Sequence, residues 1–72
     1  MQLNSRQYNL LERAVSDGRR IVVYRRGSEF IVRPESLGLR AGREAIETVQ
    51  PATGDRMTIY LDDMDDFEVV GD

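Results

Sequence analysis

Apolar residues near the start of the chain recur at intervals of three and four, which is the spacing of one face of an α-helix. The stripe consists of Tyr8, Leu11 and Val15, and Leu10 and Ala14 flank it. Asn4 and Gln7 have the spacing of a capping box, and Gly18 is suited to the left-handed conformation that ends many helices. The sequence therefore predicts a helix over about residues 5–17.

The rest of the chain alternates between apolar and polar residues in short runs, which is typical of β-strands. The predicted strands cover residues 20–26, 29–33, 37–39, 45–49, 57–61 and 67–70. Gly27-Ser28 and Ala41-Gly42 are expected to form turns, and Pro34 is expected to interrupt a strand because it lacks an N–H donor. Residues 51–55 read as a loop, and residues 62–66 as a polar turn with 3₁₀ character.

One helix followed by five or six short strands indicates a mainly β fold. The frequent turns favour a small antiparallel barrel over about residues 19–70, with the N-terminal helix covering its open end or its flank. A chain of 72 residues has the length of one domain, so residues 1–72 are predicted to fold as a single unit.

The composition argues against several classes of function. The chain has no cysteine and no histidine, so a disulfide, a thiolate site and an imidazole base are excluded. Its serines have no histidine or lysine to activate them, and an enzyme is not expected. The acidic run at residues 62–66 does not follow the ligand spacing of a calcium loop, and no metal or cofactor is predicted.

The longest apolar run, at residues 21–24, has four residues, which is too short to enter a membrane. No signal-peptide profile is seen at the N-terminus. We therefore expect a cytoplasmic protein without a membrane partner.

Charge is distributed unevenly along the chain. Residues 1–43 contain nine arginines and four carboxylates, whereas residues 44–72 contain one arginine and nine carboxylates, so the two segments carry net charges of +5 and −8. Every cation is an arginine, whose planar guanidinium suits phosphate and carboxylate oxygens. A two-signed surface is one interpretation, and pairing of the arginines with acidic strands after folding is the other.

The order of these signals resembles that of the WYL family, bacterial regulatory modules with a small Sm-like or SH3-like barrel. The matching features are Asp17-Gly18-Arg19-Arg20, the strand at residues 21–25, Arg33-Pro34 with Leu37, Gly42-Arg43, Leu61-Asp62 and the closing strand at residues 67–70. The resemblance implies a Sm-like/SH3-like barrel and a role in transcription regulation, usually beside a DNA-binding winged helix. This chain carries no such winged-helix part.

The chain departs from the family at two places. Glu44-Ala45-Ile46 occupies the position of the eponymous aromatic-aromatic-leucine tripeptide, and Asp63 occupies the position of an arginine. In the family those positions are implicated in binding oligonucleotides or nucleotides. Their replacement removes the rings that could stack on a base and the cation that could pair with a phosphate.

Two hypotheses of function follow. The first is a non-catalytic regulatory or ligand-binding module that binds single-stranded nucleic acid or a nucleotide. Its candidate ligand-binding residues are Arg20, Tyr24, Arg26, Arg33, Arg40 and Arg43. The second is a protein-interaction or self-assembly barrel that binds a protein partner or a second copy of the chain through an edge strand or through oppositely charged faces, without nucleic acid. The +5 segment and the family resemblance favour the first hypothesis, whereas the overall acidity and the missing tripeptide favour the second.

Overall fold

A computed structural model describes residues 1–71 and shows one helix followed by five antiparallel strands. The elements are α1 (Ser5–Asp17), β1 (Ile21–Arg25), β2 (Ser28–Arg40), β3 (Arg43–Val49), β4 (Arg56–Tyr60), a 3₁₀ turn (Leu61–Asp63) and β5 (Asp66–Val69). The predicted fold class, mainly β with one N-terminal helix, is confirmed. Asp72, the last residue of the predicted domain, lies outside the described residues.

The five strands form one sheet in the order β4-β3-β2-β1-β5. Only antiparallel pairings occur among residues 1–71, and they join β1 to β2, β1 to β5, β2 to β3 and β3 to β4. Strands β4 and β5 therefore lie at the two edges of the sheet. Within residues 1–71 no ladder joins β4 to β5, so closure of the predicted barrel is not shown.

The helix begins and ends where its sequence signals predict. The N–H of Gln7 donates to Asn4 Oδ1 at 2.8 Å, and the N–H of Asn4 donates to Gln7 Oε1 at 3.0 Å, which completes the capping box. Gly18 follows the last turn with φ of 66°, and its N–H donates to the carbonyls of Ala14 and Val15. At both ends of the helix, backbone groups that would otherwise lack a hydrogen-bond partner thereby gain one.

The prediction that Pro34 interrupts a strand is wrong. Strand β2 runs through Pro34, which is fully buried and opposite Thr48, and the register shifts between Pro34 and Ser36. Glu35 is the additional residue of a β-bulge, so the strand bends but continues. A bulge tolerates a proline because the ladder is already irregular there.

Two tight turns connect β1 to β2 and β2 to β3. Arg26 and Gly27 have φ of 52° and 78°, and Ala41 and Gly42 have φ of 52° and 76°. Positive φ at both central residues is the mark of a type I′ turn, whose twist matches that of a two-stranded hairpin. The turn predicted at Ala41-Gly42 is confirmed, whereas the first turn is centred on Arg26-Gly27, one residue earlier than expected.

The core lies between the helix and one face of the sheet. Leu11 and Ala14 of α1 pack in a single cluster with buried residues from β1, β2, β3, β4, the 3₁₀ turn and β5. The members of the cluster on the sheet and its connections are Ile21, Val23, Val32, Ile46, Ile59, Leu61, Met64 and Phe67. No helix among residues 1–71 is long and apolar enough to cross a membrane.

Replacement of Gly18 by alanine should destabilise the protein, because an L-residue pays for the left-handed conformation with about 1 kcal/mol. Gly38→Ala is the matched control, since no heavy atom lies within 4 Å of an added Cβ at either position and only Gly18 has positive φ. We expect Gly38→Ala to be neutral or slightly stabilising. Urea unfolding of both variants measures the difference, and equal stabilities would contradict the role given to Gly18.

Leu11→Ala should lower the free energy of unfolding by about 2–5 kcal/mol, because it removes a fully buried side chain from the core. Leu10→Ala should change it by no more than about 0.5 kcal/mol, because Leu10 is 44% exposed. The two neighbouring leucines thus report which face of α1 is buried. Chemical unfolding measures both changes. A larger loss of stability in Leu10→Ala than in Leu11→Ala would show that the other face of α1 is the buried one.

Candidate interaction surface

The six residues predicted to bind an anionic ligand do not share one surface. Arg40 lies in the last position of β2, and its Nε donates to Glu47 Oε2 at 2.5 Å. Glu47 also accepts a hydrogen bond at 2.6 Å from the hydroxyl of Thr58 on β4. The bonds from Thr58 and Arg40 hold the pKa of Glu47 below its ordinary value. Arg40 is therefore already engaged with a carboxylate.

Arg43 is bound on two sides at the start of β3. Its Nε donates to Asp62 Oδ2 at 3.0 Å and its Nη2 donates to Asp62 Oδ1 at 2.5 Å, a bidentate pair. The guanidinium carbon also lies 3.9 Å from the centre of the Tyr60 ring. The hydrogen bond with Asp62 raises the pKa of Arg43, and the same bond lowers the pKa of Asp62.

The structure brings Arg26 and Arg43 together at the 3₁₀ turn. Asp63 lies between them, with Oδ1 at 3.9 Å from Arg26 Nη2 and Oδ2 at 3.6 Å from Arg43 Nη2. The backbone N–H of Arg26 donates to Asp65 Oδ2 at 2.9 Å. These two arginines face a greater number of carboxylates, so this corner of the molecule carries no excess of positive charge.

Arg20 and Arg33 lie near each other on the outer face of the sheet. Arg20 precedes Ile21 and Arg33 follows Val32, and these two buried residues are paired across β1 and β2. Strand alternation therefore directs both arginines away from the core. Arg33 Nη2 is 3.9 Å from a carboxylate oxygen of Glu35. Among residues 1–71, no carboxylate lies within 4.0 Å of the guanidinium of Arg20. Arg20 and Arg33 are therefore neighbouring cations of the predicted basic patch at one end of the sheet.

Tyr24 lies among carboxylates rather than among arginines. Its partners across the two neighbouring strands are Glu29 on β2 and Asp66 on β5, and Glu68 follows two residues after Asp66 on the same face. Partial burial and the negative charges of Glu68, Glu29 and Asp66 raise the pKa of Tyr24, in that order of importance. A negatively charged ligand would be repelled from this ring.

The outward-facing residues of β5, β1 and β2 form a continuous surface, which we call the acidic sheet face. It consists of Val22, Tyr24, Glu29, Ile31, Asp66 and Glu68. Ile31 is 54% exposed and lies opposite Val22, so an apolar row runs beside the charged row. In the described part of the chain, no arginine lies within salt-bridge distance of the side chains of Glu29, Asp66 or Glu68.

The sequence predicts the strands of the acidic sheet face but not the strand pairing that brings its residues together. Alternation places Val22 with Tyr24, and Glu29 with Ile31, on one side of their strands. The pairing of β5 with β1 is a long-range contact that no local signal specifies, and it is this pairing that brings Asp66 and Glu68 beside Tyr24.

The two edge strands offer limited sites for β-augmentation. Strand β4 has five residues and β5 has four. The N–H of Phe67 in β5 donates to Asp66 Oδ1 at 2.8 Å, so this backbone donor is already satisfied by a side chain. Short, charged edge strands are a common protection against unwanted pairing. Edge pairing with a partner stays a prediction.

No known protein-family model matches the chain, and a search of curated proteins returns no significant match. The resemblance to the WYL family therefore stays a prediction. Among residues 1–71, no group of three or more carboxylates is arranged to hold a metal ion.

Neutralising the carboxylates around Tyr24 should lower the pKa of its hydroxyl toward the ordinary value of 10.0, because the negative charges that oppose ionisation are removed. We expect a measurable decrease in Glu68→Gln and a smaller one in Glu29→Gln. The measurement is an ultraviolet pH titration in a background where Tyr8 and Tyr60 are phenylalanine. Glu44→Gln, on β3, is the control, and an equal decrease in that variant would contradict the geometry of the acidic sheet face.

Proposed function

We propose that this chain is a non-catalytic protein-interaction module whose acidic sheet face binds a positively charged segment of a protein partner. The observation that carries the proposal is the arrangement of Glu29, Asp66 and Glu68 around Tyr24, with no arginine of the described chain within salt-bridge distance of these carboxylates. The exposed Ile31 and the half-buried Val22 opposite it add an apolar surface that can be buried on binding.

Charge complementarity favours a basic partner. Carboxylates on an exposed face attract arginine and lysine side chains and accelerate encounter with them, while they repel phosphates. A half-buried tyrosine beside an aliphatic residue can also receive the flat guanidinium of an arginine and the methylene groups behind it. The face therefore suits a segment in which basic and apolar residues alternate.

The geometry gives less support to binding of a nucleotide or a single-stranded nucleic acid. Such binding requires guanidinium groups that are available to phosphate oxygens. Arg26, Arg40 and Arg43 each have a carboxylate within 4.0 Å, and Tyr24 has a negative environment. A regulatory WYL-like role, a bacterial origin and a cytoplasmic location stay predictions, and the interaction function does not depend on them.

A titration with labelled peptides and oligonucleotides tests the proposal. We expect an arginine-rich peptide with interspersed leucines to bind, with an affinity that falls as salt is raised, and a single-stranded oligonucleotide not to bind. Glu29→Gln/Glu68→Gln should weaken peptide binding by about tenfold, since two attractive charges are lost. Fluorescence anisotropy at two salt concentrations gives both affinities.

Glu12→Gln/Glu44→Gln is the matched control, because it removes the same charge from exposed positions outside the acidic sheet face. Equal weakening in both double variants would show that only net charge matters and would remove the proposed site. Salt-dependent binding of the oligonucleotide that is lost in Arg20→Gln/Arg33→Gln would instead support the nucleic-acid hypothesis.

A further inference from the structure

The exposed side of helix α1 carries a second surface of opposite charge. Arg6, Leu10 and Arg13 are separated by four and three residues, so they form one stripe on the helix. They line a common shallow concavity together with Asn9, Glu12 and Ser16, and Leu10 is 44% exposed. In the described part of the chain, no carboxylate lies within salt-bridge distance of Arg6 or Arg13. We call these three residues the helix stripe.

The helix stripe and the acidic sheet face match in spacing. Arg6 and Arg13 are separated by seven residues, which is about 10.5 Å along a helix axis. Asp66 and Glu29 lie on either side of Tyr24 across three adjacent strands, which is about 9.6 Å. Each surface has an apolar or aromatic side chain, Leu10 or Tyr24, between its two charges.

One copy of the chain cannot join these two surfaces to each other. The helix packs on the core side of the sheet, where Leu11 and Ala14 belong to the same buried cluster as the inward residues of β1 and β2. The acidic sheet face lies on the other side of the same strands. Contact between the surfaces therefore requires two molecules.

We propose that the partner of the acidic sheet face is a second copy of this chain, which docks its helix stripe across β5, β1 and β2. Arg6 and Arg13 then pair with the carboxylates on either side of Tyr24, and Leu10 packs between Tyr24 and Ile31. This proposal rests on the proposed function, since it names the occupant of the same face. Because the two surfaces differ, the contact is head-to-tail and generates a ring or an open chain of molecules.

The contact is small and sensitive to salt. A stable interface buries about 800 Å² per partner. The whole protein has an accessible surface of 4791 Å², and we expect one helix face to bury less than a stable interface does. Exposed ion pairs add modest attraction that salt screens. Association is thus expected at high protein concentration and low salt, and it should weaken as salt is raised.

Charge reversal of each surface separately tests the proposal. The helix variant is Arg6→Glu/Arg13→Glu and the sheet variant is Glu29→Arg/Glu68→Arg, which spares the bond between Asp66 and the Phe67 backbone. Sedimentation velocity at rising concentration should show association of the unmodified protein and monomers of each variant alone. An equimolar mixture of the two variants should form a complex, because the sheet variant keeps the native helix stripe and the helix variant keeps the native acidic sheet face.

Glu44→Arg/Asp55→Arg is the control, with the same change in charge as the sheet variant at exposed positions outside both surfaces, and it should associate like the unmodified protein. The neutral variants Arg6→Gln/Arg13→Gln and Glu29→Gln/Glu68→Gln repeat the test should a reversed variant not fold. Association that survives in both charge-altered variants would overturn the proposal and assign self-assembly to the strand edges.

An unmodified protein that stays monomeric, but binds the arginine-rich peptide through Glu29 and Glu68, would overturn self-docking and leave the proposed function standing. If neither association nor peptide binding depends on Glu29 and Glu68, both proposals are wrong.

Discussion

The bulge at Pro34–Ser36 is the constraint on which the rest of the structure depends. Before it, Phe30, Val32 and Pro34 face the core, and after it Leu37 packs against the core and is paired with the buried Ile46. The additional residue Glu35 shifts the alternation by one, so Leu37, at an odd position, turns to the core, whereas the inward residues before the bulge are at even positions. Without that shift, Leu37 would turn to solvent, as Leu39, which is 72% exposed, already does.

The bulge also determines where the charges lie. It bends a 13-residue strand that pairs with β1 through its first half and with β3 through its second half. Glu35 projects from the bend, and one of its carboxylate oxygens accepts a hydrogen bond from Arg56 Nη1 at 2.9 Å. The β2–β3 turn then places Arg40 beside Glu47 and Arg43 beside Asp62. The bent strand thus separates a region of paired charges from the acidic sheet face, whose carboxylates have no arginine partner within the described residues.

The folded molecule is polarised in a way that the linear charge pattern does not describe. The sequence has a basic first part and an acidic second part, but folding pairs β5 with β1 and carries Asp66 and Glu68 into the basic part of the chain. Arg6 and Arg13, which have no carboxylate partner among residues 1–71, remain on the helix, on the other side of the sheet. The proposed head-to-tail association depends on these two surface patches of opposite charge, one on each side of the sheet.

The sequence by itself determined the local structure: the capping box at Asn4 and Gln7, the end of the helix at Gly18, and the turn at Ala41-Gly42. Each depends on residues close in sequence whose backbone preferences agree. Only the tertiary structure decided that β2 passes through Pro34, that β5 lies beside β1, and which arginine meets which carboxylate. These features depend on contacts between residues far apart in the chain, and no pattern within a single strand specifies its neighbour.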